Sequence, residues 1–200
     1  MIFAYRIIIN IIYILSPLII IYRLFKKKED LIRLKEKFCF FSKKKTTGKL
    51  IWIHGASVGE ILSVIPLVQK LEKNKEIKQI LITSNTLSSS GILSTLKLKK
   101  TIHQFFPIDT VYNCNKFLKY WRPSVVIFVD SEIWPNMLTD IKKRSIPLIL
   151  LNARITKKSF GRWSKFSSVS KNLFSKFDIC LTSNKQSKKF LAKLGAKNIK

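Results

Sequence analysis

The feature that most constrains the fold is an alternation, from Leu50 onward, of short apolar runs with helical patterns. The runs are rich in β-branched residues, which is typical of buried strands. Val125–Val129, five apolar residues in succession, is typical of a central strand covered on both faces. The repeated strand and helix order predicts an α/β fold: a Rossmann-like parallel sheet with helices on both faces. We expect strands at residues 50–53, 76–84, 101–106, 125–129, 146–151 and 179–182, and later helices at 86–98, 113–121, 135–144, 159–174 and 184–194.

Polar side chains follow the ends of these predicted strands. They are His54, Ser84, Asp109, Asp130, Glu132, Asn152 and Arg154. Because open α/β sheets bind ligands beyond the carboxyl ends of their strands, we expect the functional site at this edge. The chain contains neither GxGxxG nor GxxxxGK[ST], so no dinucleotide or P-loop nucleotide site is predicted.

The turn after the first strand, HGASVGE at 54–60, leads into a helical pattern that reaches Leu71. Ser57 and Glu60 have the spacing of a capping box, in which a helix-capping Ser is followed three residues later by Glu. The alternative is that Glu60 is a general base, because an ionised carboxylate can accept a proton from an attacking hydroxyl. The spacing alone does not decide between these two interpretations.

The charge balance indicates an anionic partner. The chain has 38 Lys and Arg against 11 Asp and Glu, a net charge of +27, yet 46% of its residues are hydrophobic. It should therefore fold and bind nucleic acid, an anionic membrane surface or a phosphorylated lipid. Nucleic acid fits worst, since the aromatic residues fall within strands and helices and do not alternate with a basic stripe.

The three cysteines and two histidines do not suggest a metal site. Cys39, Cys114 and Cys180 are far apart and odd in number, which argues against disulfides or zinc and for a reducing cytosol. His54 and His103 are isolated, and we interpret both as strand-end or packing residues. No metal and no cofactor is expected.

The first 25 residues are almost continuously apolar and are followed by Lys26, Lys27 and Lys28. This length is just sufficient to cross a bilayer, and the lysines would keep the following residues on the cytoplasmic side. We predict a membrane anchor at 1–25, spanning or interfacial, then a basic linker at 26–49 and the α/β domain at 50–200. The alternative for the first segment is an amino-terminal core helix.

Several segments together resemble the amino-terminal half of the membrane-associated 3-deoxy-D-manno-octulosonic acid (Kdo) transferases. The resemblance covers nearly the whole chain and keeps the order and spacing of the family. The matching segments are the anchor with its basic flank, HGASVGE at 54–60, PL at 66–67, ITSNT at 82–86, HQFFPID at 103–109, DSEIWPN at 130–136 and IPLILLNARIT at 146–156.

The resemblance implies a two-domain glycosyltransferase of the B type. Its amino-terminal domain would bind the lipid A precursor as acceptor, and a carboxyl-terminal domain, absent here, would bind the donor CMP-Kdo. Glu60 would be the catalytic base of an inverting transfer at the cytoplasmic face of the inner membrane. Asp130 would support the transition state, although the family has the longer Glu at this position. The residues expected to bind substrate are Ser57, Gly59, Glu132, Trp134, Asn136, Asn152 and Arg154.

The chain ends where the family would continue into its donor domain. We therefore expect a fragment, a decayed enzyme, or a split enzyme that requires a separate donor-domain polypeptide. Arg154, Lys157, Lys158 and Arg162 are candidate phosphate contacts, or else a solvated basic face. Ile61, Leu62, Ile65, Trp134 and Met137 either form an acyl-chain patch or belong to the core. The alternative function is a non-catalytic, membrane-tethered protein that binds anionic lipid or polymer.

Overall fold

The computed structural model describes residues 2–96 and 98–200 of the chain. A long helix, α1 (Ile2–Phe25), comes first, and a short 3-10 helix (Leu34–Phe38) follows it. The strands are β1 (Lys49–His54), β2 (Ile77–Ser84), β3 (Thr101–Phe105), β4 (Val125–Val129), β5 (Leu148–Ala153) and β6 (Ile179–Thr182). The other helices are α2 (Val58–Glu72), α3 (Leu87–Thr95), α4 (Val111–Trp121), α5 (Pro135–Lys143), α6 (Lys157–Ser164), α7 (Ser167–Phe174) and α8 (Lys185–Lys193).

The six strands form one parallel sheet in the order β3-β2-β1-β4-β5-β6. This is the strand order of Rossmann domains, and it confirms the predicted α/β fold. The order reverses between β1 and β4, which pair with Ile51 opposite Val125 and His54 opposite Phe128. The carboxyl ends of β1 and β4 therefore lie side by side at the switch point, where such sheets bind ligands.

Each face of the sheet carries its own hydrophobic core. One face buries large aromatic residues such as Trp52, Phe117 and Phe128 beneath α4, α5 and α7. The other face buries aliphatic residues, including Ile53 and Val64, between the sheet and α2 and α3. Full burial stabilises the fold by about 1.5–3 kcal/mol per large apolar side chain, so these two cores fix the strand order and the ends of the strands.

The single helix predicted at 159–174 is wrong, because two helices occupy this range. Phe166, between α6 and α7, has φ −125° and ψ 53°, which is not helical. In one continuous helix Trp163 and Phe174 would be about 16 Å apart along the axis, at about 1.5 Å per residue. The break allows their rings to meet edge to face with centroids 5.5 Å apart. Aromatic packing thus explains why the helix is interrupted.

The basic segment predicted as a linker at 26–49 is packed against the α/β domain. Glu36, in its 3-10 helix, is fully buried. Its carboxylate accepts hydrogen bonds from the Arg33 guanidinium at 2.9 Å and from the backbone N–H of Phe105, in β3, at 2.8 Å. This part of the chain is therefore fixed to the edge strand of the sheet.

Candidate functional site

The turn between β1 and α2 is tight, and Gly55 makes it possible. A Cβ atom on Gly55 would lie 3.1 Å from the Cβ of Glu60 and 3.1 Å from Cδ1 of Ile61. The backbone N–H of Gly55 donates to the carbonyl of Thr83 in β2, which continues the sheet pairing into the turn. The start of α2 is thereby held directly beyond the end of β1.

Ser57 and Glu60 form the capping arrangement that their spacing predicts. Ser57 is the N-cap of α2, and its hydroxyl accepts the Glu60 N–H at 3.4 Å while donating to the Glu60 Oε1 at 2.9 Å. Oε2 of Glu60 accepts the Ala56 N–H at 2.7 Å. These bonds fix the orientation of the Glu60 carboxylate, which is half-buried. The capping interpretation is confirmed. Glu60 could still act as a general base, because each carboxylate oxygen has a further lone pair that can accept a proton.

The environment of Glu60 raises the pKa of its carboxyl group. Burial is the main cause, and the hydrogen bonds from Ser57 and Ala56 oppose it. The negative charges of Glu132 and Asp130 raise the pKa further. The three acidic groups thus interact across the switch point, with one contributed by the turn after β1 and two by the turn after β4.

The turn after β4 holds Asp130 in a left-handed backbone conformation, with φ 63°. Asp and Asn tolerate this conformation better than longer side chains such as Glu. The Asp130 N–H donates to the Leu151 carbonyl at 2.9 Å, so the residue still belongs to the sheet edge. Burial raises the pKa of the Asp130 carboxyl, the Ser131 hydroxyl and the charge of Arg154 lower it, and Glu132 raises it again.

Glu132 lies between the candidate site and the aromatic core. Its Oε2 accepts the indole N–H of Trp134 at 2.7 Å and lies 3.4 Å from Nε2 of His54. The Trp134 ring packs against Phe106, with centroids 5.1 Å apart. Trp134 thus orients a carboxylate from the partly buried edge of the core, which gives it a positioning task whether or not it touches a ligand.

His54 is completely buried at the end of β1 and belongs to a polar chain that sequence reasoning missed. The indole N–H of Trp52 donates to Oγ1 of Thr83 at 2.9 Å, and the same Oγ1 lies 2.9 Å from Nδ1 of His54. The contact between Nε2 and Glu132 does not have hydrogen-bond geometry, so within the described residues Nε2 has no partner. The sequence feature that could have predicted this polar chain is the position of His54 directly before the Gly-rich turn, with Trp52 on the same face of the strand.

The side chain of Asn136 is bonded within the protein interior. It is buried, its amide donates to the Asp109 carbonyl at 2.6 Å, and its oxygen accepts the Arg6 side chain at 3.0 Å. The Asp109 carboxylate caps α5 by accepting the N–H groups of Asn136 at 3.0 Å and Met137 at 2.8 Å. Asn136 thus helps to hold the start of α5 in place, and its contact with a substrate stays a prediction.

Asn152 and Arg154 are exposed at the end of β5, beside Asp130. Asn152 has φ 55°, a second left-handed residue at this edge. Lys157, Lys158 and Arg162 continue the exposed basic surface along α6, where none of the eight residues is buried. These cations are free to meet an anion, as expected for either a phosphate site or a solvated face.

Gly59 lies in the first turn of α2 and is exposed, and a Cβ atom there would meet nothing within 4 Å. Packing therefore does not require glycine at this position. The first backbone N–H groups of a helix lack intrahelical partners and attract anions. A ligand could approach this backbone without obstruction.

Only three of the five residues of the predicted acyl-chain patch are accessible, because the other two belong to the hydrophobic cores. Ile61 and Met137 are completely buried in the two hydrophobic cores. Leu62 is 48% exposed, whereas Ile65 and Trp134 are partly buried.

Among the described residues, no three His, Cys, Asp or Glu side chains are arranged to hold a metal ion.

Comparisons with known proteins agree with this architecture. The family model described as 3-deoxy-D-manno-octulosonic-acid transferase (kdotransferase) matches residues 32–200. The 3-deoxy-D-manno-octulosonic acid transferase of Rickettsia bellii is 40% identical over 156 residues, which cover 76% of this chain and 37% of that protein. The probable mitochondrial 3-deoxy-D-manno-octulosonic acid transferase of Arabidopsis thaliana is 36% identical over 166 residues, or 82% of this chain and 37% of that protein.

The chain thus spans about 37% of the length of these two relatives. Among solved structures, a putative UDP-N-acetylglucosamine 2-epimerase from Listeria monocytogenes superimposes with a TM-score of 0.55 at 18% identity. The match covers 76% of this chain and 44% of that one. A second UDP-N-acetylglucosamine 2-epimerase gives a TM-score of 0.53 at 16% identity, with 76% and 47% covered. These likenesses show the fold alone, that of the amino-terminal domain of a glycosyltransferase-B architecture.

Proposed function

This chain belongs to the 3-deoxy-D-manno-octulosonic-acid transferase family, and from that premise we propose that it is the acceptor-binding half of a Kdo transferase. The acceptor is the lipid A precursor at the cytoplasmic face of the inner membrane, and the donor is CMP-Kdo bound by a second domain. The observation that supports the proposal is the position of Glu60 just beyond β1 and of Asp130 and Glu132 just beyond β4, the two neighbouring strands at the switch point of the sheet. No metal or cofactor takes part in it.

Glu60 is the general base of the proposed reaction. Its carboxylate accepts the proton of an acceptor hydroxyl while the hydroxyl oxygen forms a bond to the anomeric carbon of Kdo. The bond from that carbon to the CMP oxygen breaks, and CMP leaves with the electron pair, so the configuration inverts. The hydrogen bonds from Ser57 and Ala56 hold the carboxylate in one orientation, which favours proton transfer over a fixed short distance.

Asp130 and Glu132 supply negative charge near the carbon at which positive charge develops. Carboxylates fixed before the reaction stabilise such charge at little cost in reorganisation. Trp134 holds Glu132 through the 2.7 Å hydrogen bond from its indole. The shorter Asp130 is compatible with its left-handed backbone, so the departure from Glu at this position preserves the charge.

The acceptor carries phosphate groups, and two features of the site suit them. Arg154 lies near Asp130, and Lys157, Lys158 and Arg162 extend the positive surface along α6. Ser57 and Gly59 offer the start of α2, where the helix dipole favours an anion. Asn152 is exposed near the end of β5 and offers a further polar contact.

The test uses the full chain for acceptor binding and a chimera for transfer. In the chimera, residues 32–200 replace the matching part of the Rickettsia bellii relative, so that a donor half is present. Glu60→Gln removes the base but keeps both capping contacts if its amide oxygen accepts the Ala56 N–H and its amide nitrogen donates to the Ser57 hydroxyl. We expect kcat to fall about 10²–10⁴-fold with acceptor binding unchanged. Asn184→Ala is the matched control, because it loses the N-cap of α8, about 1 kcal/mol, and leaves the residues of the candidate site unchanged.

A second candidate is a membrane-tethered protein that binds anionic lipid or polymer without catalysis. The net charge of +27 favours it. It predicts acceptor binding by the chain, no product from the chimera, and no effect of Glu60→Gln on either measurement. Failure of the chain to bind the acceptor would exclude the first candidate, and failure to bind any anionic lipid or polymer would exclude the second.

A further inference from the structure

The amino-terminal helix α1 is attached to the α/β domain along one side. Its buried residues Ile9, Ser16 and Ile20 lie on a single stripe, which Tyr5 and Tyr13 extend as partly buried residues. The spacings of four, four, three and four residues keep this stripe on one face of a helix. Among the described residues, α1 is the one helix that is long and apolar enough to cross a membrane.

The amino end of α1 is bonded to the interior of the domain. The Tyr5 hydroxyl donates to Oδ2 of Asp109 at 2.7 Å, and Arg6 donates to Oδ1 of Asn136 at 3.0 Å. Both partners are buried, and Asp109 is at the same time the cap of α5. Because a buried carboxylate is costly to leave without its donors, these bonds resist separation of the helix from the domain.

The carboxyl half of α1 is bonded to the segment that follows it, which is itself held to β3 through Glu36. Arg23 donates to the buried Glu29 at 2.5 Å, and Lys37 donates to the same carboxylate at 2.6 Å. Near the middle, the rings of Tyr13 and Phe38 meet with centroids 5.5 Å apart. Attachment therefore extends from Tyr5 to Arg23, about 27 Å along the helix at about 1.5 Å per residue.

A helix held in this way cannot cross a bilayer while the domain stays in the cytoplasm. With Arg23 at the cytoplasmic interface, Tyr5 would lie about 27 Å deeper, near the far side of a hydrocarbon core of about 30 Å. Asp109 and Asn136 would then have to enter the membrane with it. From these contacts we infer that α1 lies in the plane of the membrane interface, with its unattached face in lipid and both ends on the cytoplasmic side.

The lipid-facing surface continues beyond α1 onto the start of α4. Val111 is 52% exposed and Tyr112 is 68% exposed, and both line an open groove of about 580 Å³ between α1 and α4. Lys116 lies 4.9 Å from the ring of Phe40 and 5.9 Å from that of Tyr112, so a cation accompanies these exposed rings. Apolar side chains with lysines beside them suit a leaflet that contains anionic lipid.

The inference rests on the membrane attachment in the proposed function and is independent of the transfer reaction. It is tested in bacterial cells that express the full chain, with a cysteine-bearing tag ahead of residue 1 in one variant and Lys28→Cys in another. A membrane-impermeant maleimide is added to spheroplasts and to inverted inner-membrane vesicles. The untagged chain is the control, because its three cysteines are buried.

We expect both positions to react in inverted vesicles and neither to react in spheroplasts. Labelling of the tag in spheroplasts alone would show a spanning helix and overturn the inference while leaving the proposed function intact. A chain that is absent from the membrane fraction would overturn both the inference and the proposed attachment.

The surface on α4 has a separate test with a matched control. Tyr112→Asp should increase at least threefold the fraction of protein that high salt releases from vesicles of equal parts phosphatidylethanolamine and phosphatidylglycerol. Phe166→Asp, at a 50% exposed position between α6 and α7, should leave that fraction unchanged. Equal release of the two variants would exclude α4 from the contact.

Discussion

Nε2 of His54 lies 3.4 Å from Oε2 of Glu132, the same oxygen that accepts the Trp134 indole at 2.7 Å. The other ring nitrogen is 2.9 Å from Oγ1 of Thr83, which already accepts the indole N–H of Trp52. The Thr83 hydroxyl proton is thus free to be donated to Nδ1. When the Thr83 hydroxyl donates to Nδ1, the proton of the neutral ring is on Nε2, the nitrogen nearer to Glu132.

We predict that neutral His54 is the Nε2–H tautomer and that Glu132→Gln changes its Nε2 resonance. The chain has two histidines, so nitrogen NMR of the full chain in micelles gives two assignable rings. His103 is the internal control, because burial and the nearby Arg33 charge lower its pKa to about 3 and keep it neutral. An Nδ1–H tautomer, or a His54 spectrum unaffected by the Glu132 substitution, would contradict the prediction.

The proposed role of Glu60 predicts that the rate of transfer rises with pH as this residue ionises, because a general base acts in its charged form. The pKa of Glu60 is raised by burial and also by the charges of Glu132 and Asp130, so removing one of these charges lowers it. In the chimera, Asp130→Asn should therefore move the acid limb of the kcat/KM profile to lower pH and also reduce the plateau. Asp140 pairs with Arg144 on the surface of α5, so Asp140→Asn is the matched control and should not move the acid limb of the profile.

Gly55→Ala should displace Glu60. The added methyl group would lie 3.1 Å from the Glu60 Cβ, so the start of α2 must shift by a few tenths of an ångström. Because a shift of this size approaches the limit of about 0.5 Å within which catalytic groups must be held, we expect kcat of the chimera to fall about tenfold. Gly59→Ala has free space and should retain kcat, but acceptor KM should rise if the acceptor approaches this backbone. Equal kcat values for the two variants would argue against a fixed position for Glu60.

Glu36→Gln should destabilise the fold by about 3 kcal/mol, since it leaves Arg33 without its partner in a buried pair. For a chain of this size, this corresponds to a fall in Tm of about 10 °C. Thermal denaturation in detergent gives the value, and Glu76→Gln, in an exposed pair with Lys49, should leave Tm unchanged.

The same substitution predicts a pH dependence. Burial raises the pKa of Glu36, but hydrogen bonds from Arg33, Ser42 and Phe105 outweigh burial and lower it below its ordinary value of 4.5. A lowered carboxyl pKa stabilises the folded state above the ordinary value, and this stabilisation is lost as pH falls through the folded pKa. The difference in Tm between the original chain and Glu36→Gln should therefore shrink below about pH 4. A constant difference at all pH values would mean that Glu36 acts through packing.

The sheet could be predicted from the sequence because its strands are covered on both faces and are nearly continuous in apolar residues. Val125–Val129 and Ile179–Thr182 have the predicted bounds. The fifth strand starts two residues later than predicted, at Leu148. Pro147 has no N–H to donate, although its carbonyl accepts the Val126 N–H. The composition of a segment does not reveal which of its backbone groups will form hydrogen bonds with a neighbouring strand.

The acidic groups of the candidate site were also predictable, because parallel strands bring their carboxyl ends to one edge. The contacts of His54 with Glu132 and of Asp109 with α5 were not, since their partners are distant in sequence and belong to different elements. Asn136 shows the limit most clearly: a polar residue in the matching motif turned out to be buried. The basic composition of residues 26–49 likewise concealed Glu36, whose partners lie in part on β3.

The reversal of strand order between β1 and β4 has a consequence for biosynthesis. Glu60 and Asp130 are 70 positions apart, and the strands that precede them, β1 and β4, meet only after the intervening β2, β3 and α4 have left the ribosome. A nascent chain that stops near residue 120 would hold Glu60 at the rim of a three-stranded sheet, without its acidic neighbours and with one edge of β1 unpaired. The proposed base thus becomes fully set only late in translation, and pausing just before β4 would expose an aggregation-prone edge that chaperones must protect.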